Sequence, residues 1–149
     1  MKIKKFLPSA LVVLFVMVLT SCKKDDVEKA VILQSVEYRI YDVSGSGVSG
    51  TATFTQEDNG STHVLIELKN TNTAKNPAYI RFNSAAESGA IAITLHACEC
   101  SISNTTITKL DNGSPITYEG LVVLDGHITI HGVNNEIVAV ADIGSNSTN

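Results

Sequence analysis

Apolar and polar residues alternate in short runs along most of the chain after about residue 31, and Gly, Asn and Asp bound these runs. Successive side chains of an extended strand point to opposite faces, so this alternation predicts strands with one buried face. No window keeps apolar residues at helical spacing without Gly, Asn or a β-branched run intruding. The pattern therefore predicts an all-β protein with almost no helix.

The strand predictions can be stated run by run. In THVLIELKN, Val64, Ile66 and Leu68 share one predicted core face. In chain order the predicted strands read SVEYRIYD, VSGTATFTQ, THVLIELKN, PAYIRF, AIAITL, ITKL, YEGLVVL, HITIHGV and EIVAVADIG.

Tight turns are predicted between several of these strands. Asp58-Asn59-Gly60, Asp111-Asn112-Gly113 and Asp125-Gly126 carry residues that accept the positive φ angles of a hairpin turn. Turn signals recur about every 8 to 12 residues, as in a sandwich. We therefore expect one domain over residues 31–149, a Greek-key β-sandwich or barrel.

The N-terminal segment has a different pattern. A basic start, MKIKK, precedes the uncharged apolar run FLPSALVVLFVMVLT, as in a secretory signal. The run is shorter than the roughly 20 residues that a spanning helix needs. Leu19-Thr20-Ser21-Cys22 matches a bacterial lipobox, so we expect residues 1–21 to be a signal peptide and Cys22 to carry lipid. The charged residues 22–30 are then a tether.

The net charge of the mature chain disfavours one class of binding partner. Without Lys2, Lys4 and Lys5, 8 basic residues face 15 acidic ones, a net charge of -7. This balance disfavours nucleic acid as a partner. The tether resembles the residues after the lipidated cysteine in surface-exported lipoproteins of Bacteroidetes-like bacteria. We expect a lipid anchor at the outer membrane or cell surface, with a periplasm-facing location as the alternative.

Tyr79 and Arg81 form the first candidate site. On the predicted strand PAYIRF they share one face, while Ile80 and Phe82 share the other. An aromatic ring beside a guanidinium is typical of contact surfaces. We predict a binding surface here, for a protein or a glycan.

His96-Ala97-Cys98-Glu99-Cys100 forms the second candidate site. Imidazole and thiolate suit zinc or copper(I), but a regular strand holds His96 and Cys100 too far apart for one ion unless the chain turns sharply. Cys98 and Cys100 are also candidates for a disulfide, local or intermolecular. Ordinary strand residues are the remaining interpretation.

His127 and His131 share a predicted strand face with Thr129. They stand about 13 Å apart along an extended strand, too far to share one ion without a bend. We therefore expect solvent-facing or hydrogen-bonded strand residues rather than a metal pair.

Three segments, which together cover most of Gly47–Asn146, resemble in their order and spacing the CHRD domain, a module named for chordin and also found in bacterial lipoproteins. These segments read GVSGTATFTQEDNGSTHVLIELK, PAYIRFNSAAESGAIAITL and GSPITYEGLVVLDGHITIHGVNNEIVAVADIGSN. The resemblance implies a Greek-key sandwich related to copper/zinc superoxide dismutase. It also implies that His131 lies near Tyr79 and Arg81.

The chain departs from this family's pattern at the motif in which the family carries three histidines. The usual His-Pro-Ala-His-Ile-His reads Asn76-Pro77-Ala78-Tyr79-Ile80-Arg81 here, so all three histidines are absent, while the later His131 is kept. Arginine is a permanent cation and no metal ligand. We therefore expect no superoxide dismutase activity and no cofactor, but a binding or scaffolding lipoprotein without catalysis. The alternative is a metal or redox protein that uses His96, Cys98, Cys100 or His131.

Overall fold

A computed structural model describes residues 33–71 and 75–148, all within the compact unit Val31–Asn149. The predicted signal peptide, the lipidation site Cys22 and the tether lie outside the described residues. The described chain is mostly β, with 53% strand and 4% helix, which confirms the all-β prediction. No helix within the described ranges is long and apolar enough to cross a membrane.

Ten strands and one short helix make up the described part of the chain. They are β1 (Ser35–Asp42), β2 (Ser49–Gln56), β3 (Thr62–Lys69), β4 (Lys75–Asn76), β5 (Ala78–Phe82), β6 (Ile91–Thr94), β7 (Cys98–Glu99), β8 (Ile102–Ile107), α1 (Tyr118–Leu121), β9 (Asp125–His131) and β10 (Ile137–Gly144).

The strands form one curled antiparallel sheet, in the order β4-β7-β8-β3-β2-β1-β10-β9-β5-β6. The inner side of the curl holds the apolar positions of each alternation, because burial there removes them from water. The largest fully buried apolar side chains are Ile40, Phe54, Val64, Ile66, Ile80, Leu121, Ile128, Ile130 and Ile143.

Several local predictions are confirmed. Val64, Ile66 and Leu68 are buried, and the turn at residues 58–60 joins β2 to β3, with Gly60 at φ +84°. The turn at residues 111–113 also forms, where the Gly113 N–H donates to the Leu110 carbonyl over 2.9 Å.

Three local predictions are wrong. YEGLVVL is not a strand, because Thr117 caps α1 by accepting a hydrogen bond from the Gly120 N–H. The one-turn helix buries Tyr118 and Leu121 together, which i and i+3 spacing allows and strand alternation does not. Asp125-Gly126 begins β9 instead of forming a turn, and the strand predicted at ITKL lies earlier, at β8.

The centre of one half of the sheet positions the first candidate site. β9 pairs with β5 on one side and with β10 on the other. Ile80, Ile128 and Ile130 are fully buried on the inner side. The alternate residues of β5 and β9 therefore lie on the outer side of the sheet.

Candidate functional site

Five side chains from two paired strands form a cluster on the outer side of the sheet. We call this cluster the β5–β9 face. It consists of Tyr79, Arg81, His127, Thr129 and His131. Tyr79 stands directly across from Thr129 and Arg81 across from His127. His127, Thr129 and His131 are 2%, 0% and 4% exposed, whereas Tyr79 and Arg81 are half-buried. The two residues singled out from PAYIRF thus form the accessible part of the cluster.

A chain of hydrogen bonds runs through this face. The Arg81 Nε–H donates to Thr129 Oγ1 over 3.3 Å, and the same oxygen lies 3.2 Å from His131 Nε2. His131 Nδ1 lies 2.9 Å from the Asn135 carbonyl oxygen, which only accepts. Nδ1 therefore carries a proton, and Nε2 of a neutral ring accepts from the Thr129 hydroxyl. All these donors then point one way, from Arg81 through Thr129 and His131 to Asn135.

Ring contacts hold Tyr79 and Arg81, the accessible pair, against this chain of hydrogen bonds. The Tyr79 and His131 rings meet edge to face, with centroids 5.2 Å apart. The Arg81 guanidinium carbon lies 5.8 Å from the Tyr79 ring centroid, within cation–π range. Arg81 Nη1 also donates to the Gly89 carbonyl over 3.0 Å. Tyr79 and Arg81 are thus fixed before any ligand arrives.

His127 occupies the other end of the face. Its Nδ1 lies 2.7 Å from the Asn83 carbonyl oxygen. Asp142 of β10 stands opposite His127 in the strand register. Its carboxylate accepts a hydrogen bond from the Ala85 N–H at 2.7 Å. Both histidines of β9 are therefore hydrogen-bonded to backbone carbonyls and nearly fully buried, not solvent-facing.

Asn76 is a buried residue that holds the backbone of the β5–β9 face at His131, a role that the sequence pattern does not predict. It is 2% exposed, and its Nδ2 donates to the His131 carbonyl over 2.9 Å. The His131 N–H in turn donates to the Pro77 carbonyl over 2.8 Å. A polar residue before a proline, at the start of an apolar run, is the only signal for this role in the sequence.

The second candidate site is arranged very differently. Cys100 and Ser101, at φ +48° and +76°, form the two-residue turn between β7 and β8. His96 is exposed, with its Nδ1 2.7 Å from the Asn104 carbonyl oxygen. Cys98 is fully buried in the core, whereas Cys100 is exposed, and both thiols are free. The structure therefore separates the two thiols that the sequence places close together.

The chemistry of Cys98 also differs from that of a metal ligand. Burial raises the pKa of the Cys98 thiol from 9.0 to about 12, so the thiol is protonated at neutral pH. The thiolate is the form that binds metals. Across residues 33–71 and 75–148, no group of three or more His, Cys, Asp or Glu side chains is arranged to hold a metal ion.

We compared the sequence with models of protein families and with curated proteins. Neither comparison gives a match.

Proposed function

We propose that this chain is a lipid-anchored, extracytoplasmic binding or scaffolding lipoprotein of CHRD type that acts without catalysis of its own. Its lipid is attached at Cys22, at the outer membrane or cell surface. Its contact surface is centred on Tyr79 and Arg81. The partner is a protein or a glycan.

The anchor part of the proposal is supported by the order of segments along the chain. An uncharged apolar run ends in Leu19-Thr20-Ser21-Cys22, and a charged stretch separates Cys22 from the β domain. A lipidated cysteine with more than one acyl chain holds a domain stably at a membrane, since each buried methylene contributes about 0.8 kcal/mol.

The fold-family part is supported by the strand order. The chain forms β1, β2 and β3 as neighbours, then crosses to β5 and β6, returns to β8 beside β3, and crosses again to β9 and β10. Such crossings between the two halves of an antiparallel sheet are what a Greek-key arrangement requires. His131 also lies against Tyr79, as the CHRD resemblance implies.

One observation carries the binding part of the proposal. Arg81 and Tyr79 are half-buried, and hydrogen bonds and ring contacts to Thr129, Gly89 and His131 hold them in place. Ordering long side chains on binding costs free energy, so side chains that are already ordered bind with a smaller loss. Tyrosine and arginine are also the residue types that most often dominate binding energy.

The surface is tested with a partner first captured by crosslinking on intact cells and then purified. We expect Tyr79→Ala with Arg81→Ala to weaken its binding by about 2 kcal/mol or more. Thr53→Ala with Lys69→Ala, on β2 and β3, is the matched control and should leave binding unchanged. Equal affinities of the two double variants would show that the contact surface lies elsewhere.

The anchor is tested separately, with labelled palmitate. The wild-type protein should incorporate the label and fractionate with membranes. Cys22→Ala should lose both properties. Continued labelling of this variant would contradict the placement of the lipid.

A further inference from the structure

We propose that the outer side of β1, β10, β9 and β5 binds an acidic polysaccharide, which crosses the four strands and places carboxylates on Arg39 and Arg81. This inference rests on the binding function proposed above and assigns the chemical class of the partner. It also adds a second recognition pair, Arg39 and Tyr41, to the β5–β9 face.

The second pair repeats the chemistry of the first. The Arg39 guanidinium carbon lies 5.1 Å from the centroid of the Tyr41 ring, and Tyr41 is 55% exposed. Tyr38 and Ile40, the alternate residues of β1, are buried in the core. Arg39 and Tyr41 therefore project from the outer side of the sheet, as Arg81 and Tyr79 do.

Strand register aligns the two pairs. Tyr79 pairs with Thr129, Thr129 with Val140, and Val140 with Tyr41, so both tyrosines stand in one row across the sheet. Three strand spacings of about 4.8 Å separate the ends of this row, roughly 14 Å along the sheet.

The arginines lie on the same side of this row. Arginine precedes tyrosine along β1 and follows it along β5, and three successive antiparallel pairings make these two strands antiparallel. The reversed order therefore brings both guanidiniums to the same side of the tyrosines. Arg39 also lines a shallow cleft with Asp142, the residue paired with His127 next to Arg81.

Between the two tyrosines the row contributes little accessible surface, because Thr129 is fully buried and Val140 is half-buried. A ligand along this row would therefore contact the tyrosine rings at its two ends, whose apolar faces suit the C–H faces of sugar rings. Arg81 uses two N–H donors on Thr129 and Gly89, which leaves three of its five for a ligand.

Charge at the two ends of this row favours an anionic ligand, although the mature chain is acidic overall. Two guanidiniums flank the carboxylate of Asp142, and that carboxylate already accepts from the Ala85 N–H. The planar fork of a guanidinium matches a carboxylate with two parallel hydrogen bonds. The two arginines therefore point to ligand carboxylates.

The arrangement favours a polysaccharide over a peptide. Each of the four strands lies between two others in the strand order, so none of them is an edge strand to which a peptide could add. Two like pairs in one line suit a ligand whose own units repeat. A polymer of uronate sugars has both the repeat and the carboxylates.

The test is a titration of the full chain, held in detergent micelles, with polygalacturonate. Fully methyl-esterified polygalacturonate keeps the same backbone without carboxylates, and polyglutamate supplies carboxylates on a peptide. We expect binding of polygalacturonate and, for each of the other polymers, binding at least about tenfold weaker. Absence of polygalacturonate binding, or equal binding of polyglutamate, would overturn the proposal.

Variants locate the binding. Arg39→Gln and Arg81→Gln should each weaken polygalacturonate binding about tenfold, while Lys109→Gln, which removes the same charge elsewhere, should not. Asp142→Asn keeps an acceptor for Ala85 and should strengthen binding. Unchanged thermal unfolding of Arg39→Gln would show that the variant is folded.

The same variants distinguish this inference from the function on which it rests. If Arg39→Gln binds polygalacturonate like Lys109→Gln, the proposed site across four strands is wrong. If the captured partner still requires Tyr79 and Arg81, the binding function stands even though the acidic polysaccharide is excluded.

Discussion

The two candidate sites of this chain look alike in sequence and differ in structure. PAYIRF and HACEC both place chemically capable side chains on alternate residues. On β5, the alternate residues Tyr79 and Arg81 meet Thr129 and His131 from β9, and hydrogen bonds join them. At β7, a turn follows at once, so Cys98 lies in the core and Cys100 is exposed.

The difference shows that two side chains on the same face of one strand do not by themselves form a site. The β5–β9 face exists because a neighbouring strand supplies partners from about 50 residues further along the chain, at the matching register. At the β7–β8 turn, within residues 33–71 and 75–148, the Cys100 thiol is free and exposed. Four predictions test this contrast, from the largest expected effect on stability to the smallest.

Gly89 tests how tightly the loop packs against β5. A Cβ at this position would collide with the Phe82 carbonyl oxygen, which is backbone and cannot rotate away. We expect Gly89→Ala to destabilise the fold by about 3 kcal/mol and to disturb Arg81, which donates to the Gly89 carbonyl. Denaturant unfolding measures the loss.

Gly45→Ala is the matched control. Nothing lies within 4 Å of a Cβ at Gly45, so only its φ of +68° opposes the substitution. We expect a cost of about 1 kcal/mol there. Equal losses for the two variants would show that Gly89 is not closely packed against β5.

Thr129 tests the hydrogen-bond chain. Thr129→Val keeps the shape of the side chain but removes the oxygen that links Arg81 to His131. Because the site is fully buried, we expect a loss of about 1–3 kcal/mol in the free energy of unfolding. Thr53→Val, on the outer side of β2, should change stability by less than about 0.5 kcal/mol. A neutral Thr129→Val would mean that the chain of bonds contributes nothing to the fold.

Cys98 makes stability depend on pH. Its thiol has a pKa of about 12 in the folded protein and 9.0 ordinarily, so the unfolded chain loses this proton first as pH rises. The stabilisation is complete below pH 9 and is lost as pH rises towards 12. Between pH 8 and 10 we expect wild type to lose about 1 kcal/mol relative to Cys98→Ala. Parallel pH profiles of the two proteins would contradict the burial of this thiol.

Cys100 should show the smallest change in stability. We expect Cys100→Ser to alter unfolding by less than about 0.5 kcal/mol, since the side chain is exposed. In a Cys22→Ala background, it should also abolish labelling of the native protein by a thiol reagent, while Cys98 reacts only after unfolding. Rapid native labelling of Cys100→Ser in that background would show that Cys98 is accessible.

Much of the fold could be predicted from local pattern. The alternation in β1, β2, β3, β5 and β10 determines which side of each strand is buried, and burial follows it closely. Helix α1 was missed because a single capped turn has too few residues for a helical period. β4 and β7, two residues each, are too short for any alternation.

Less of the site could be predicted. Alternation places Tyr79 and Arg81 on one face, but the role of Thr129 depends on a pairing between distant strands, which no local pattern encodes. The same is true of Asn76, whose amide reaches the backbone of β9. Cys98 and Cys100 looked equivalent because the left-handed backbone at Cys100 could not be anticipated in a residue other than glycine or asparagine.

In our proposal, the β5–β9 face is the contact surface and the β7–β8 turn is not. The test is photocrosslinking on intact cells, with benzoylphenylalanine introduced at position 91 in one protein and at position 100 in another. Ile91 is 40% exposed and pairs with Arg81, while Cys100 is exposed at the turn. We expect an adduct from position 91 and none from position 100. An adduct from position 100 alone would contradict the proposal.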